Sequence, residues 1–361
     1  MYIVFFTFYF EKIYLENAKY YESTCLFCYS MKKYSSYLLI LIIAGILFGC
    51  SNSSSRKVYF NEDIPTDVYE KIKPLDRLVL NAIRNDNPGL ITSLLSSNLK
   101  KNMTPARIDS NINFVYKLLG GKNFEYLDQI YIPNTSAFPY DSIGAGFGEN
   151  RYYIYYEPHN KEIFISLLYP KHSFDEFLIT LIYSKYSSGW ELDVIKFGVW
   201  KVLSKSAIDY YKESVEYYSR GHLIDASNAL NIMWQCIRPA GIYFRYNHDD
   251  DMVNMLEYIT NEIHFKYEFP KAVDTIENSA KIFNIYPHRV SGLYYPMIQY
   301  LTNVKLYDFE GLEKENSMIQ QRIESMFPGI TTNNPIIYYR AYNEVPSGNK
   351  KVMHYGFQQI N

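Results

Sequence analysis

The apolar residues of this chain change period at Gly120-Gly121, and no other feature of the sequence constrains its fold as tightly. Before that point Leu75, Leu78, Val79 and Ala82, then Leu90, Leu94 and Leu95, then Ile108, Ile112, Val115 and Leu119 recur at spacings of three and four. That is the period of helices with one buried face. Asn87-Pro88 and Thr104-Pro105 read as the starts of a second and a third helix, because a proline at the first helical position gives up only an N–H that has no helical partner. Beyond Gly121 the period falls to two. Strands are expected at 124–132, 151–157, 162–169, 176–186 and 190–199, the last two joined as a hairpin by Ser187-Ser188-Gly189. Trp190 is expected to be buried against the helices. Helices followed by a run of antiparallel strands predict an α+β fold in which a curved sheet wraps the helices of residues 65–203.

Two segments follow. In Ser204–Pro239 the positions Tyr210, Ser214, Tyr217, Gly221, Ala226, Leu230 and Met233 mark a pair of helices, with Gly221 permitting the tight turn and Ala226 a close helix approach. The remainder, residues 241–361, reads as a second small α+β domain. It has a helix towards Ile263, strands at 282–286 and 293–302, a helix at 309–326 stopped by Pro328-Gly329, and a final strand pair at 336–342 and 352–358.

Three resemblances attach to these residues. The helix-then-sheet order, with Asn85-Asp86-Asn87 before a helix carrying Leu94-Leu95 and a closing Gly189-Trp190-Glu191-Leu192-Asp193 strand, resembles the nuclear-transport-factor-like cone fold over about residues 66–203. That superfamily holds isomerases, cyclases, dehydratases and many modules that only bind; no catalytic set maps residue by residue onto this chain. The spaced positions of residues 204–239 resemble one tetratricopeptide helix pair. A lone pair is expected to be a packing bridge, since stable solenoids stack about three repeats. The third resemblance is at the other end. Met31–Cys50 has a positive start at Lys32-Lys33, then an apolar run from Tyr37 to Phe48. About a dozen residues is too short for the roughly 20 of a membrane-spanning helix and suits a signal-peptide core. The run ends in Leu47-Phe48-Gly49-Cys50, which resembles the lipobox of bacterial lipoproteins. The resemblance implies removal of residues 31–49, acylation of Cys50 with palmitate-type chains, and a flexible tether over residues 50–64 that opens with Ser51–Ser55. Residues 1–30 then read as an extension ahead of the true start at Met31.

Composition narrows the function classes. Cys25 and Cys28 lie in that extension and Cys50 would carry lipid, so only Cys236 remains and no internal disulfide is expected. About 310 residues can bury enough apolar surface to fold without such staples. The whole chain carries a formal charge of -2; removing the four Lys and three Glu of residues 1–49 leaves about one unit more negative, with no long basic run. Nucleic acid is therefore not an expected partner, because neutralising phosphates takes a concentrated basic face. The 38 Tyr would suit stacking on sugars, but they are scattered through every segment.

Motifs for chemistry are sparse. The seven His stand singly, no Ser lies in a Gly-x-Ser-x-Gly elbow, and Gly144, Gly146 and Gly148 have the wrong spacing for a phosphate loop and read as a flexible loop. Asp249, Asp250 and Asp251 beside His248 suggest a metal at first sight. Their place directly before the apolar run Met252, Met255, Leu256 and Ile259 predicts helix capping instead. No catalytic, cofactor or metal residue is assigned, and Cys50 is the one modification site. The leading expectation is an exported protein, lipid-anchored to a bacterial membrane, that binds a small molecule or another envelope protein without catalysis. The alternatives are an isomerase, cyclase or hydrolase with its site inside the cone, and a structural part of an envelope assembly.

Overall fold

A computed structural model describes residues 57–119, 121–135, 140–171, 173–274, 280–348 and 351–361. Cys25, Cys28, Cys50 and the expected signal segment lie outside them. The fold is α+β: eight α-helices among the described residues, a curled antiparallel half-barrel and two smaller sheets.

The chain enters through β1 (Tyr59–Phe60), which pairs with the first long strand, and Ile64 is buried, so the last residues of the expected tether belong to the fold. Helix α1 (Thr66–Arg84) buries Val68, Ile72, Val79, Ala82 and Ile83 along one stripe. The stripe runs straight through Pro74, although a proline inside a helix costs about 3 kcal/mol, so tertiary burial outweighs local preference here. The second helix is much shorter than its periodicity suggests. It is the single turn α2 (Gly89–Thr92), after which Leu94-Leu95-Ser96 extends and pairs with Leu192, and the chain continues into α3 (Ser97–Asn102). The third, α4 (Pro105–Leu119), begins on the expected proline and buries Ile108, Ile112, Val115 and Leu119.

The strands come next: β2 (Phe124–Ile132), β3 (Asp141–Ala145), β4 (Tyr152–Tyr156), β5 (Ile163–Pro170), β6 (Glu176–Tyr186), β7 (Gly189–Val202) and β8 (Lys205–Ser206). Only some of them join one sheet. The half-barrel has the order β1-β2-β5-β6-β7-β8, all antiparallel, while β3 and β4 leave it to form a three-stranded sheet with the distant β9 (Phe244–Tyr246). The stretch around Gly144, Gly146 and Gly148, expected to be a flexible loop, is instead a strand and its turn. Gly144 pairs with Tyr153 inside the ladder, and Gly146 sits at φ +73°, where an added Cβ would lie 2.8 Å from the Asn150 carbonyl oxygen.

The half-barrel is buried on both faces. Along β5, Phe164 and Leu168 turn towards α1, α2 and α4, whereas Ile163, Ile165 and Leu167 turn into a second core. That second core is filled by the helical hairpin α5 (Ala207–Ser219) and α6 (Leu223–Cys236). Ser206 and Asp209 close a reciprocal capping box at its start, and Gly221 turns it at φ +79°. Helix α6 touches β7 on one side and the following elements on the other, the bridging position expected of it. Those elements are α7 (Asp249–Tyr267), β10 (Lys271–Ala272), β11 (Lys281–Val290), β12 (Leu293–Leu301), α8 (Phe309–Met326), β13 (Ile336–Tyr342) and β14 (Tyr355–Ile360). The five strands form a sheet in chain order in which β12 and β13, joined through α8, run parallel. Bulges at Leu127, near Glu176 and at Asp193 interrupt the half-barrel ladders and supply the extra twist that curls them.

Candidate functional site

The bulge at Asp193 builds the candidate site. Ile182 pairs with Val194 and Tyr183 with Leu192, which leaves Asp193 as the extra residue of β7. Leu192 and Ile195 consequently face the same core although they are three residues apart. Asp193 is re-aimed to line a cleft of about 230 Å³ while remaining only 6% exposed. Tyr156, Ile182 and Ile195 share its buried floor. The mouth carries Asn98 and Asn102 of α3, Arg107 of α4, Glu157 and His159 beyond β4, Lys196 of β7, and Tyr243.

Its electrostatics are uneven. One oxygen of Asp193 accepts a hydrogen bond from the Tyr186 hydroxyl at 2.9 Å, and the other, Oδ2, is buried with no hydrogen-bond partner. Burial, followed by the neighbouring Asp193 charge, holds the Tyr186 hydroxyl far above the usual tyrosine range, so that it stays a donor. An acceptor left unpaired in the interior costs about 1–3 kcal/mol, more when charged. Its persistence at the floor of a cleft marks a place where a donor from outside the protein gains most. At the mouth neither Arg107 nor Lys196 forms an ion pair with a described carboxylate. The Lys196 side chain is exposed as a whole, yet its ammonium is crowded. Partial burial first, and Arg107 second, lower its pKa. Its Nζ lies 5.6 Å from the centroid of the Tyr243 ring, and His159 Nε2 lies 2.8 Å from the Asn98 side-chain amide.

A second buried carboxylate, Asp76, sits between the helices and the sheet and has a different character. It accepts from Tyr126 at 3.0 Å, Ser166 at 2.8 Å and Tyr183 at 2.9 Å, so both oxygens are engaged by protein hydroxyls. Burial raises its pKa to about 6, against the lowering effect of those three bonds. Asp76 fastens α1 to three strands and offers no free atom to a ligand. A cavity beside these helices is apolar and of about 10 Å³, lined by Ile91, Ile112, Phe197 and their neighbours. The polar cleft thus lies at the bulge, whereas the polar cluster at Asp76 is closed by its own hydroxyl partners.

The acidic run that opens α7 does not supply its cap. The cap position is His248, which makes no side-chain bond to the helix, and all three Asp lie within the first turn. Asp249, 4% exposed, takes both its oxygens to Arg238 at 3.1 and 2.5 Å; Asp251 is 3.0 Å from His248 Nδ1. Three carboxylates there still favour the helix N-terminus by their charge. Among the described residues no group of three or more His, Cys, Asp or Glu could hold a metal ion, and no helix is long and apolar enough to cross a membrane. Trp190 is half-buried, edge-on to Tyr131 of β2 and Phe164 of β5 at 6.3 and 6.5 Å. It packs against the core on the helix side of the sheet, half-buried where full burial was expected.

Neither Asp76 nor Asp193 stands out in a motif search, but both leave a trace. Asp76 occupies the apolar stripe Ile72, Asp76, Val79, Ile83, where a charge needs partners. Val194-Ile195 puts two apolar residues side by side in an alternating strand, the mark of a bulge. Comparison with protein-family models, with curated proteins and with solved structures gave no match.

Proposed function

We propose that this is a lipid-anchored envelope protein whose exported part binds a small polar molecule in the cleft at Asp193, without chemistry of its own. The observation that carries the reading is the buried, unpaired Oδ2 of Asp193 at the floor of a polar cleft of about 230 Å³. The lipobox-like end at Cys50 supports the anchor, and the helix-then-half-barrel order supports kinship with the cone superfamily, which includes many modules that only bind. The packed interior around Asp76 weighs against an enzyme site inside the cone.

The test is thermal unfolding of the full-length protein in detergent against a library of polar metabolites. A molecule bound only by the folded state raises the midpoint by mass action, about 2.7 kcal/mol at a hundred times its Kd. A rise that Asp193→Asn abolishes is expected. No rise with any compound, or one that survives Asp193→Asn, would end the reading.

A further inference from the structure

We infer that the ligand of this cleft is a small zwitterion of amino-acid size, with its ammonium on Asp193 Oδ2 at the floor and its carboxylate held at the mouth by Arg107 and Lys196. The inference rests on the cleft being a ligand site, and it adds the class of ligand. A carboxylate is an acceptor only, so Oδ2, buried and unpaired on a residue that lines the cleft, calls for a donor, and a charged donor gains most where water is excluded. The mouth has the opposite need. Arg107 and Lys196 line it together, neither paired with a described carboxylate, and the cost of holding two cations side by side is relieved by an anion between them. Arg107 supplies the planar fork that suits a carboxylate.

Ligands of a single charge fit half of this arrangement. An anion alone meets the Asp193 charge at the floor, and a cation alone meets Arg107 and Lys196 at the mouth, where Glu157 is the carboxylate that lines it with them. A neutral sugar brings hydroxyls but no countercharge to either pole. Ile182 and Ile195 beside Asp193 at the floor and the Tyr243 ring at the mouth provide apolar surface for a short carbon skeleton. The volume of about 230 Å³ lies below the roughly 300–1,000 Å³ of sites for drug-sized molecules, which sets the scale at an amino acid or a dipeptide.

Isothermal titration of the full-length protein in detergent at low salt tests this. The probes are the free amino acids, a set of dipeptides, and, for the tightest of them, its N-acetyl derivative and its carboxamide; simple amines, organic acids and hexoses are run beside them. The expected result is that one zwitterion binds, and that blocking either charge weakens it at least tenfold. Asp193→Asn should erase the preference for the free amine over the N-acetyl form. Arg107→Gln with Lys196→Gln, two exposed substitutions that leave the core intact, should erase the preference for the free carboxylate over the amide. Equal or tighter binding of an amine, an organic acid or a hexose, lost in Asp193→Asn, would overturn the zwitterion and leave the cleft as a ligand site. Binding of none of the probes, or binding that neither variant alters, would overturn both.

Discussion

At the scale of single residues, the burial of Asp76 has a consequence for stability. Its pKa is about 6 in the folded protein against the ordinary 3.8, so the folded state holds this proton more tightly than the unfolded one. Its contribution is therefore fully present below pH 3.8 and is lost as pH rises through 6. At pH 7 the cost is on the order of 3 kcal/mol, from 1.36 kcal/mol per unit. Asp76→Asn, uncharged throughout, should lack this dependence, and the stability difference between the two proteins should shift between pH 4 and 7. Parallel denaturation curves across that range would contradict it. Trp190 gives a smaller effect. Half-buried and edge-on to two rings, it should cost about 1–3 kcal/mol on replacement by Ala, less than the 3–5 kcal/mol of a fully buried ring. An unchanged urea midpoint would show that the two contacts carry nothing. Cys236 is buried, with its thiol pushed up to about 12, and should resist alkylation until the protein unfolds.

At the scale of elements, the close approach between β7 and the end of the helical hairpin is set by Gly198. A Cβ there would lie 2.0 Å from the Pro239 carbonyl oxygen, and that atom belongs to backbone. Gly198→Ala should therefore force β7 and α6 apart and destabilise by about 1–3 kcal/mol, whereas Gly348→Ala, whose Cβ meets nothing, should be near neutral. Equal melting temperatures for the two would contradict the contact. Elements were legible where local pattern decides: the boundaries of β2, β6 and α8 follow from periodicity and stop signals. They were illegible where pairing is remote. Nothing near Tyr152 says that it will pair with Tyr246 instead of the next strand, and Leu94-Leu95 looks helical until Leu192 claims it.

At the scale of the folded unit, the half-barrel buried on both faces joins the three sequence segments in one compact body, Lys57–Val345 with Met353–Asn361. The class of the fold was readable from the change of period, but the site was not. Asp193 acquires its meaning only when a bulge, a loop beyond β4 and the start of α4 meet around it. The parallel β12–β13 pair likewise depends on a crossover that strand pattern alone does not specify. The proposed anchor belongs to the other end of the chain. If Cys50 carries lipid, Cys50→Ser should move the protein from the membrane fraction to the soluble one, since stable attachment takes two acyl signals. Retention of the variant in membranes would refute the anchor while leaving the cleft untouched. The cleft itself is tested most directly by native mass spectrometry of the protein gently purified from its own cells, wild type beside Asp193→Asn. The wild type should carry a small polar molecule as added mass that the variant lacks; identical, ligand-free spectra for both would contradict a binding role for Asp193.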